Sequence, residues 1–192
     1  SLRETQTYEI IDDVAHMKSE IGLLYYNDFN RPVLEKLIHT NELTFTELFT
    51  AHPHIFIGKT HPLAHKEVVS MDELEEYPYI SFEQGDHNSF YFSEEIFSTV
   101  VRPKHIRVRD RASLFSLLLG LDGYTVSSGV IDKEVNGENI ISVPLAEEGL
   151  MHIGYITNNK MQRSRLGQEY IHALEQYVNN YGRHIQLPEN KK

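Results

Sequence analysis

Strand-length apolar runs alternate with helix-like patterns along the whole chain, and this alternation constrains the fold most. The runs lie at residues 21–26, 79–82, 106–109, 124–127, 140–143 and 151–157, with a partly alternating strand at 43–51. Helical spacing of apolar residues occurs at 8–18, 114–121 and 164–181, and Asn30 with Pro32 starts another helix. Such alternation predicts an α/β class with largely parallel sheets.

Size, charge and cysteine content narrow the classes of function. A chain of 192 residues can form one domain or two small lobes that share a hinge. The net charge of −10, with no compensating Lys/Arg cluster, argues against direct nucleic-acid binding, because neutralising phosphates needs a positive face. The absence of cysteine excludes disulfides and thiolate metal sites and is compatible with the cytoplasm.

Several local signals predict where helices begin and what they bury. Ser70 with Glu73 forms a capping box, and Asp110 is an N-cap candidate for the buried helix that ends near Gly120. After the polar turn at 83–89 we expect a helix carrying Phe92, Ile96 and Phe97. The last helix is expected to bury an apolar stripe, made of Leu166, Tyr170, Leu174, Tyr177, Val178 and Tyr181.

The stretch from His54 to Phe82 has a specific order. An apolar strand (55–58) leads to His61-Pro62-Leu63-Ala64, then to a short capped helix at 70–74, then to Tyr77-Pro78-Tyr79-Ile80-Ser81-Phe82. This order resembles the effector-binding domain of LysR-type transcriptional regulators. The segments at 19–24, 109–126, 140–144 and 151–156 resemble further pieces of that family in the same order.

The resemblance implies a two-lobed, periplasmic-binding-protein-like α/β fold with two crossover hinge strands. The first lobe would be residues 1–58 plus 153–192, and the second would be residues 59–152. A small molecule would bind between the lobes and control DNA binding by a winged-helix domain. The chain would then be a cytoplasmic sensor without enzymatic activity or a cofactor, and it would reach DNA only through that other domain.

The chain departs from the family pattern in two places. The family's effector domain begins with a strand and a long helix before the segment matched by residues 2–18, so we expect an N-terminally truncated first lobe. A free sheet edge and uncovered apolar surface there would favour self-association. In addition, Ser127-Ser128-Gly129 stands where the family usually has a proline.

Ligand-binding candidates are the polar turns at strand ends, because ligands of open α/β sheets bind at the carboxyl ends of strands. The turn at 83–89 is the most polar of them. Arg109 could hold a carboxylate bidentately, so the effector is expected to be polar or anionic. Ordinary turn or backbone-capping roles remain alternatives for each candidate. The candidate residues are Asn27, Thr50, Gln84, Gly85, His87, Asn88, Ser89, Arg109, Thr125 and Ser127.

Other site chemistries lack positive support in the sequence. Eleven histidines are present, including His52, His54, His61 and His65, but none stands at a recurring metal-ligand spacing, so no metal site is expected. Nucleophile-elbow, Walker and dinucleotide motifs are also missing from the sequence. Two alternatives stay open: a solute-binding protein of a transporter, and an enzyme on the same two-lobed fold, such as a deaminase or a prephenate-dehydratase-like protein.

Overall fold

The computed structural model describes residues 1–132 and 137–182, without the side chains of 180–182. The α-helices in this part of the chain are α1 (Thr7–Ala15), α2 (Arg31–Thr40), α3 (Arg111–Gly120) and α4 (Arg165–Gly182). Short 3₁₀ turns lie at Asp72–Leu74, Gly85–His87 and Phe90–Phe92. The strands are β1 (Gly22–Tyr26), β2 (Leu43–Ala51), β3 (His54–Gly58), β4 (Tyr79–Phe82), β5 (His105–Val108), β6 (Thr125–Ser127), β7 (Ile140–Pro144) and β8 (Met151–Asn158).

The start signals at Asp110 and Pro32 act as the sequence predicts, and the capping box predicted at Ser70 and Glu73 forms only in part. The Asp110 side chain accepts a hydrogen bond from the Ser113 backbone N–H at 2.8 Å, which caps α3. The Glu73 carboxylate accepts the Ser70 backbone N–H at 3.1 Å, although the helix that follows is only a 3₁₀ turn. Pro32 lies in the first turn of α2, where its missing N–H costs nothing.

The strands form two three-stranded sheets and one two-stranded sheet. The first sheet has the order β1-β8-β2 and the second the order β6-β3-β7, and every pairing in both is antiparallel. Strands β4 and β5 pair in parallel, and a bridge between Tyr79 and Tyr124 joins them to the second sheet. The prediction of largely parallel sheets is therefore wrong. The βαβ unit β1-α2-β2 does run in parallel, but β8 inserts between its two strands.

The chain passes between the two sheets twice. β2 leads into β3 through residues 52–53, and β7 leads into β8 through residues 145–150. Each passage ends in the central strand of the other sheet, because β3 is central in the second and β8 is central in the first. The division into lobes at 58/59 and 152/153 stays a prediction, and the pairing of β3 favours a boundary near residues 52–53.

Each sheet has its own apolar core. In the first core, α1 and α2 pack on the first sheet through fully buried residues that include Ile11, Val14, Leu34 and Ile156. The second core includes Ile55, Ile57, Val69 and Leu74, and α3 adds a neighbouring cluster around Leu114, Leu118 and Ile80. Within the described ranges, no helix is long and apolar enough to cross a membrane.

One predicted helix is absent, and the last helix forms as predicted but buries only part of its expected apolar stripe. Residues 93–100 form turns instead of a helix carrying Phe92, Ile96 and Phe97, because Ser93 is extended and Phe97 has a φ of +63°, which helical geometry excludes. The apolar stripe of α4 is also largely uncovered: Leu166 is 76% exposed, Tyr177 43% and Tyr170 38%. The helix packs through Gly167 and Ile171, Leu174 and Val178 are half-buried, and the side chain of Tyr181 lies outside the described part of the chain.

Candidate functional site

A cavity of about 330 Å³ opens where β4 ends, and its walls come from two distant parts of the chain. The segment before and within α1 forms one wall, and the turn after β4 with the end of β5 forms the other. This volume is within the range of small-molecule sites. The lining residues of this larger cavity are Glu4, Thr5, Gln6, Glu9, Phe82, Glu83, Gly85, Asp86, Glu94 and Arg109.

Arg109 is held by Glu83 in a fork of two hydrogen bonds. Its Nε donates to one carboxylate oxygen at 2.9 Å and its Nη2 to the other at 3.0 Å. This guanidinium lowers the pKa of the Glu83 carboxyl. The neighbouring carboxylate of Asp110 is occupied in capping α3. Arg109 therefore reaches the cavity as half of an ion pair, with most of its side chain exposed.

Gln84 connects the two walls of the larger cavity. Its side-chain oxygen accepts the backbone N–H of Thr7 at 3.3 Å, and its amide nitrogen donates to Glu94 at 3.1 Å. Gln84 is only 2% exposed, although it lies in the most polar of the predicted turns. Burial raises the pKa of the Glu94 carboxyl, and the bond from Gln84 partly offsets this.

Gly85 makes the close approach of the two walls sterically feasible. Its φ is +53°, and an added Cβ would come within 2.7 Å of the Gln6 side-chain oxygen. Next to it, the His87 ring stacks on Tyr8 of α1 with centroids 3.5 Å apart, and Phe92 meets Tyr8 edge-on at 5.5 Å. A glycine at this position therefore allows the turn to dock against α1.

A smaller cavity of about 80 Å³ lies on the other side of Phe82. It is bounded by β4 and β5 on one side and by the segment 88–98 on the other. Its lining residues are Tyr79, Ser81, Phe82, Asn88, Ser89, Phe90, Ser93, Glu95, Ser98, His105 and Arg107. Asn88 and Ser89 are thus the sequence candidates that the smaller cavity contains.

The remaining candidates are in other positions. The Asn27 side-chain oxygen accepts the backbone N–H groups of Phe29 and Asn30 at 2.9 and 3.1 Å, as in an Asx turn. Thr50 is exposed on β2, while Thr125 and Ser127 lie on β6. Among these ten candidates, the structure brings Gly85 and Arg109 to the larger cavity and joins them through the buried Gln84.

Sequence reasoning did not select the acidic wall of the larger cavity. Glu4 and Glu9 approach from the N-terminal segment, about 80 residues away from Glu83 and Asp86 along the chain. Glu94 and Glu95 offered a usable signal, since two consecutive acids interrupt an apolar run between Phe92 and Phe97. Within the described ranges, no group of three or more His, Asp or Glu side chains could hold a metal ion.

Comparison with solved structures shows the same fold in LysR-family regulators. The effector-binding domain of QuiR, solved with shikimate, matches with a TM-score of 0.60 and 17% identity, covering 97% of this chain and 83% of that domain. The reduced form of OxyR matches with 0.61 and 19%, covering 97% and 82%. HinK from Pseudomonas aeruginosa matches with 0.60 and 15%, covering 92% of this chain but 58% of HinK.

The family comparison agrees with the fold. The chain spans a little over half the length of the regulator HinK. No curated protein sequence matches it. The model of the LysR substrate-binding domain, however, matches residues 1–179, which is nearly the whole chain. The expected two-lobed α/β class and the resemblance are thus confirmed, and the chain belongs to the LysR substrate-binding domain family.

Proposed function

We propose that this domain senses a small molecule in the larger cavity and thereby controls DNA binding by a winged-helix domain of the same regulator. The observation that carries this is a cavity of about 330 Å³ whose walls come from α1 and from the turn after β4. Ligand binding would strengthen the contact between these walls, and that differential affinity is what shifts a conformational equilibrium. Sensing needs no chemical step, so we propose no enzymatic activity.

The charges of the larger cavity favour a polar effector over an anionic one. Five acidic side chains line it (Glu4, Glu9, Glu83, Asp86 and Glu94), and arginines pair with three of them, Arg111 with Glu4, Arg3 with Glu9 and Arg109 with Glu83. An added anion would therefore meet guanidinium groups that are already paired, whereas hydroxyl, amide or ammonium donors would find carboxylate acceptors. We therefore infer an effector that is rich in hydrogen-bond donors.

A binding experiment tests the position of this site. Native mass spectrometry of the purified protein would identify a co-purified effector, and calorimetry would give its affinity. Glu83→Ala removes a carboxylate acceptor from the cavity wall, so we expect weaker binding of a donor-rich effector by roughly tenfold or more. Glu169→Ala is the matched control, because Glu169 also pairs with an arginine, Arg165, at 2.9 Å on exposed α4. Equal affinities of both variants and the wild type would place the site elsewhere.

We propose that copies of the protein associate through apolar surface at α4 and β1. Leu166, Tyr170 and Tyr177 are exposed along α4, and Leu23 is 39% exposed on the edge strand β1. Exposed apolar patches and free strand edges both favour association. Sedimentation velocity tests this, since Leu166→Glu should shift an oligomer toward monomer. A wild-type protein that stays monomeric at high concentration contradicts it.

The partners and location that go with this function follow the family. We propose that DNA is contacted only through the winged-helix domain, in keeping with the net charge of −10 of this chain. We propose the cytoplasm as its location, since a regulator must reach DNA. A gel shift with the isolated chain should show no specific duplex binding, and a salt-dependent shift at sub-micromolar protein contradicts this.

A further inference from the structure

The smaller cavity holds polar groups that the proposed effector site does not use. Tyr79 is 2% exposed and Glu95 4% exposed, and both line this cavity of about 80 Å³. The Tyr79 hydroxyl has no hydrogen-bond partner anywhere in the described chain. A buried hydroxyl without a partner destabilises a fold, so its presence at a cavity wall indicates a group that arrives from outside.

Two positive groups lie near the Tyr79 side chain and the cavity that it lines. The Arg102 guanidinium lies over the Tyr79 ring, 3.9 Å from its centroid. Arg102 is fixed there by its Nε, which donates to the Tyr124 hydroxyl at 3.1 Å, and by its Nη1, which donates to the carbonyl of Val100 at 3.0 Å. Arg107 lines the cavity directly. These two cations make the surroundings of Tyr79 favourable for an anion.

The carboxyl of Glu95, which lines this cavity, does not cancel the positive charge of Arg102 and Arg107. Burial raises the pKa of Glu95 to about 8, so its carboxyl is largely protonated at neutral pH. One of its oxygens accepts the Phe82 backbone N–H at 2.8 Å. The Ser81 hydroxyl, 2.7 Å from His105 Nε2, adds a further polar group on the same strand as Tyr79. The wall therefore offers donors to a guest rather than negative charge.

The volume limits the size of the guest. To hold one water molecule, a cavity needs roughly 10–15 Å³ of volume in which the centre of that molecule can lie. A cavity of about 80 Å³ therefore holds several waters, or a molecule of about four to six heavy atoms. We propose that the smaller cavity binds a small monocarboxylate of the size of acetate, with the Tyr79 hydroxyl donating a hydrogen bond to a carboxylate oxygen.

This site is distinct from the proposed effector site but lies beside it. Phe82 lines both cavities, and the consecutive residues Glu94 and Glu95 line the larger and the smaller one, respectively. A carboxylate in the smaller cavity would thus touch the segment that forms a wall of the larger cavity. The inference goes beyond the proposed function and does not require that the effector binds in the larger cavity.

An NMR titration with acetate tests the inference. The ceiling on binding energy per heavy atom limits the dissociation constant of a four-atom ligand to roughly 40 μM or weaker, so the titration should extend to tens of millimolar. We expect saturable shifts at Tyr79, Ser81, Glu95 and His105. Tyr79→Phe removes only the hydroxyl and should weaken acetate binding about tenfold or more. Ser81→Ala, expected to weaken binding less, keeps the test decisive if Tyr79→Phe fails to fold.

Two control variants show whether acetate binds in the smaller cavity. Ser142→Ala also removes a buried hydroxyl that has no partner in the described residues, but away from both cavities, and should leave acetate binding unchanged. Arg109→Ala should likewise leave it unchanged, whereas loss of binding there would place acetate in the larger cavity and overturn the inference. An absence of saturable shifts, an undiminished affinity in Tyr79→Phe, or binding of methylammonium in place of acetate would overturn it as well.

Discussion

The two three-stranded sheets have the same strand arrangement but differ in whether the buried polar groups around them are hydrogen-bonded. In each sheet the central strand arrives from the other sheet, and both flanking strands pair with it in antiparallel fashion. Around the first sheet, buried polar side chains form hydrogen bonds with nearby backbone groups. Asn158 Nδ2, for example, donates to the carbonyls of Val14 and Ala15 at 3.3 and 3.1 Å.

The region around β4 and β5, next to the second sheet, leaves polar groups without such partners. The Tyr79 hydroxyl and Arg102 Nη2 are both buried and unpartnered as far as the described residues go, and the carboxyl of Glu95 is enclosed beside them. A buried polar group costs stability unless it is paired. The difference indicates that the first region is built for stability and that the second retains groups for binding.

The largest effects should come from the central strands, where the two regions are alike. Ile156 on β8 and Ile55 on β3 are both 0% exposed. Ile156→Ala and Ile55→Ala should each lower the free energy of unfolding by about 2–5 kcal/mol, through lost burial and a residual cavity. Urea unfolding followed by circular dichroism measures this, with Val68→Ala at an exposed position as the control.

The variants Ile156→Ala and Ile55→Ala also show whether the two regions unfold together. The contacts Thr7–Gln84 and Tyr25–Ser93 join them, so we expect one transition that shifts in both variants. Two separate transitions, each sensitive to only one of the variants, would contradict this and would make the two regions independent units.

The next largest effect concerns pH in the second region. Burial raises the pKa of Glu95 to about 8 from an ordinary value of 4.5, so the folded chain holds a proton that the unfolded chain releases between these values. Stability should therefore be highest near pH 4.5 and fall as the pH rises toward 8, by at most about 1.4 kcal/mol per pH unit.

Glu95→Gln should remove this part of the pH dependence, because a glutamine stays neutral and still accepts the Phe82 N–H. Urea unfolding between pH 5 and pH 8.5 measures the slopes of the variant and the wild type. Glu175→Gln on the exposed surface of α4 is the control. Parallel slopes in the wild type and Glu95→Gln would show that Glu95 is ionised throughout this range.

A smaller effect on stability should distinguish the hydrogen-bonded polar groups of the first region from the unpartnered ones of the second. The Asn30 side-chain oxygen accepts the Asn27 backbone N–H at 2.7 Å, and Asn30 is 2% exposed. Asn30→Ala leaves that N–H buried without an acceptor and should cost about 1–3 kcal/mol. Tyr79→Phe loses no hydrogen bond made within the described residues, so its stability in the absence of ligand should equal or exceed that of the wild type.

Thermal and urea unfolding of these two variants give the comparison directly. A Tyr79→Phe protein destabilised as much as Asn30→Ala would mean that the Tyr79 hydroxyl is satisfied in solution, by ordered water for example. The contrast between the two regions would then be lost.

The smallest effect should come from the contact that joins the two regions. Tyr8 on α1 stacks on His87 at 3.5 Å. Tyr8→Ala should remove about 0.5–1.5 kcal/mol of interaction and loosen the turn at 84–92 more than the rest of the fold. Hydrogen exchange of residues 84–92 reports this, with Tyr8→Phe as the control that keeps the ring. Unchanged exchange in Tyr8→Ala would show that other contacts hold the turn.

Local sequence patterns predicted the structural features that depend on residues adjacent in the chain. The cap at Asp110, the start of α2 at Pro32 and most strands follow from a few adjacent residues, so a single sequence contains them. The ordered motif from His54 to Phe82 carried the family and, with it, the two-lobed class.

Features that depend on distant residues were not predictable in this way. The insertion of β8 between β1 and β2, the acidic wall supplied by Glu4 and Glu9, and the exposure of Leu166 are all settled by tertiary packing. Gln84 shows the limit clearly. A glutamine in a polar turn is normally solvated, and only the approach of Thr7 and Glu94 buries it.

The position of β8 also sets an order of events during synthesis. All strands of the second sheet lie between residues 54 and 144, so that sheet can assemble before β8 has left the ribosome. β1 and β2 precede those strands in the chain, yet they have no common neighbour until residues 151–158 have left the ribosome. The first sheet therefore closes last, over the longest loops in the chain, which makes it the slower step. A chain shortened before residue 151 would retain the second sheet and lose the first.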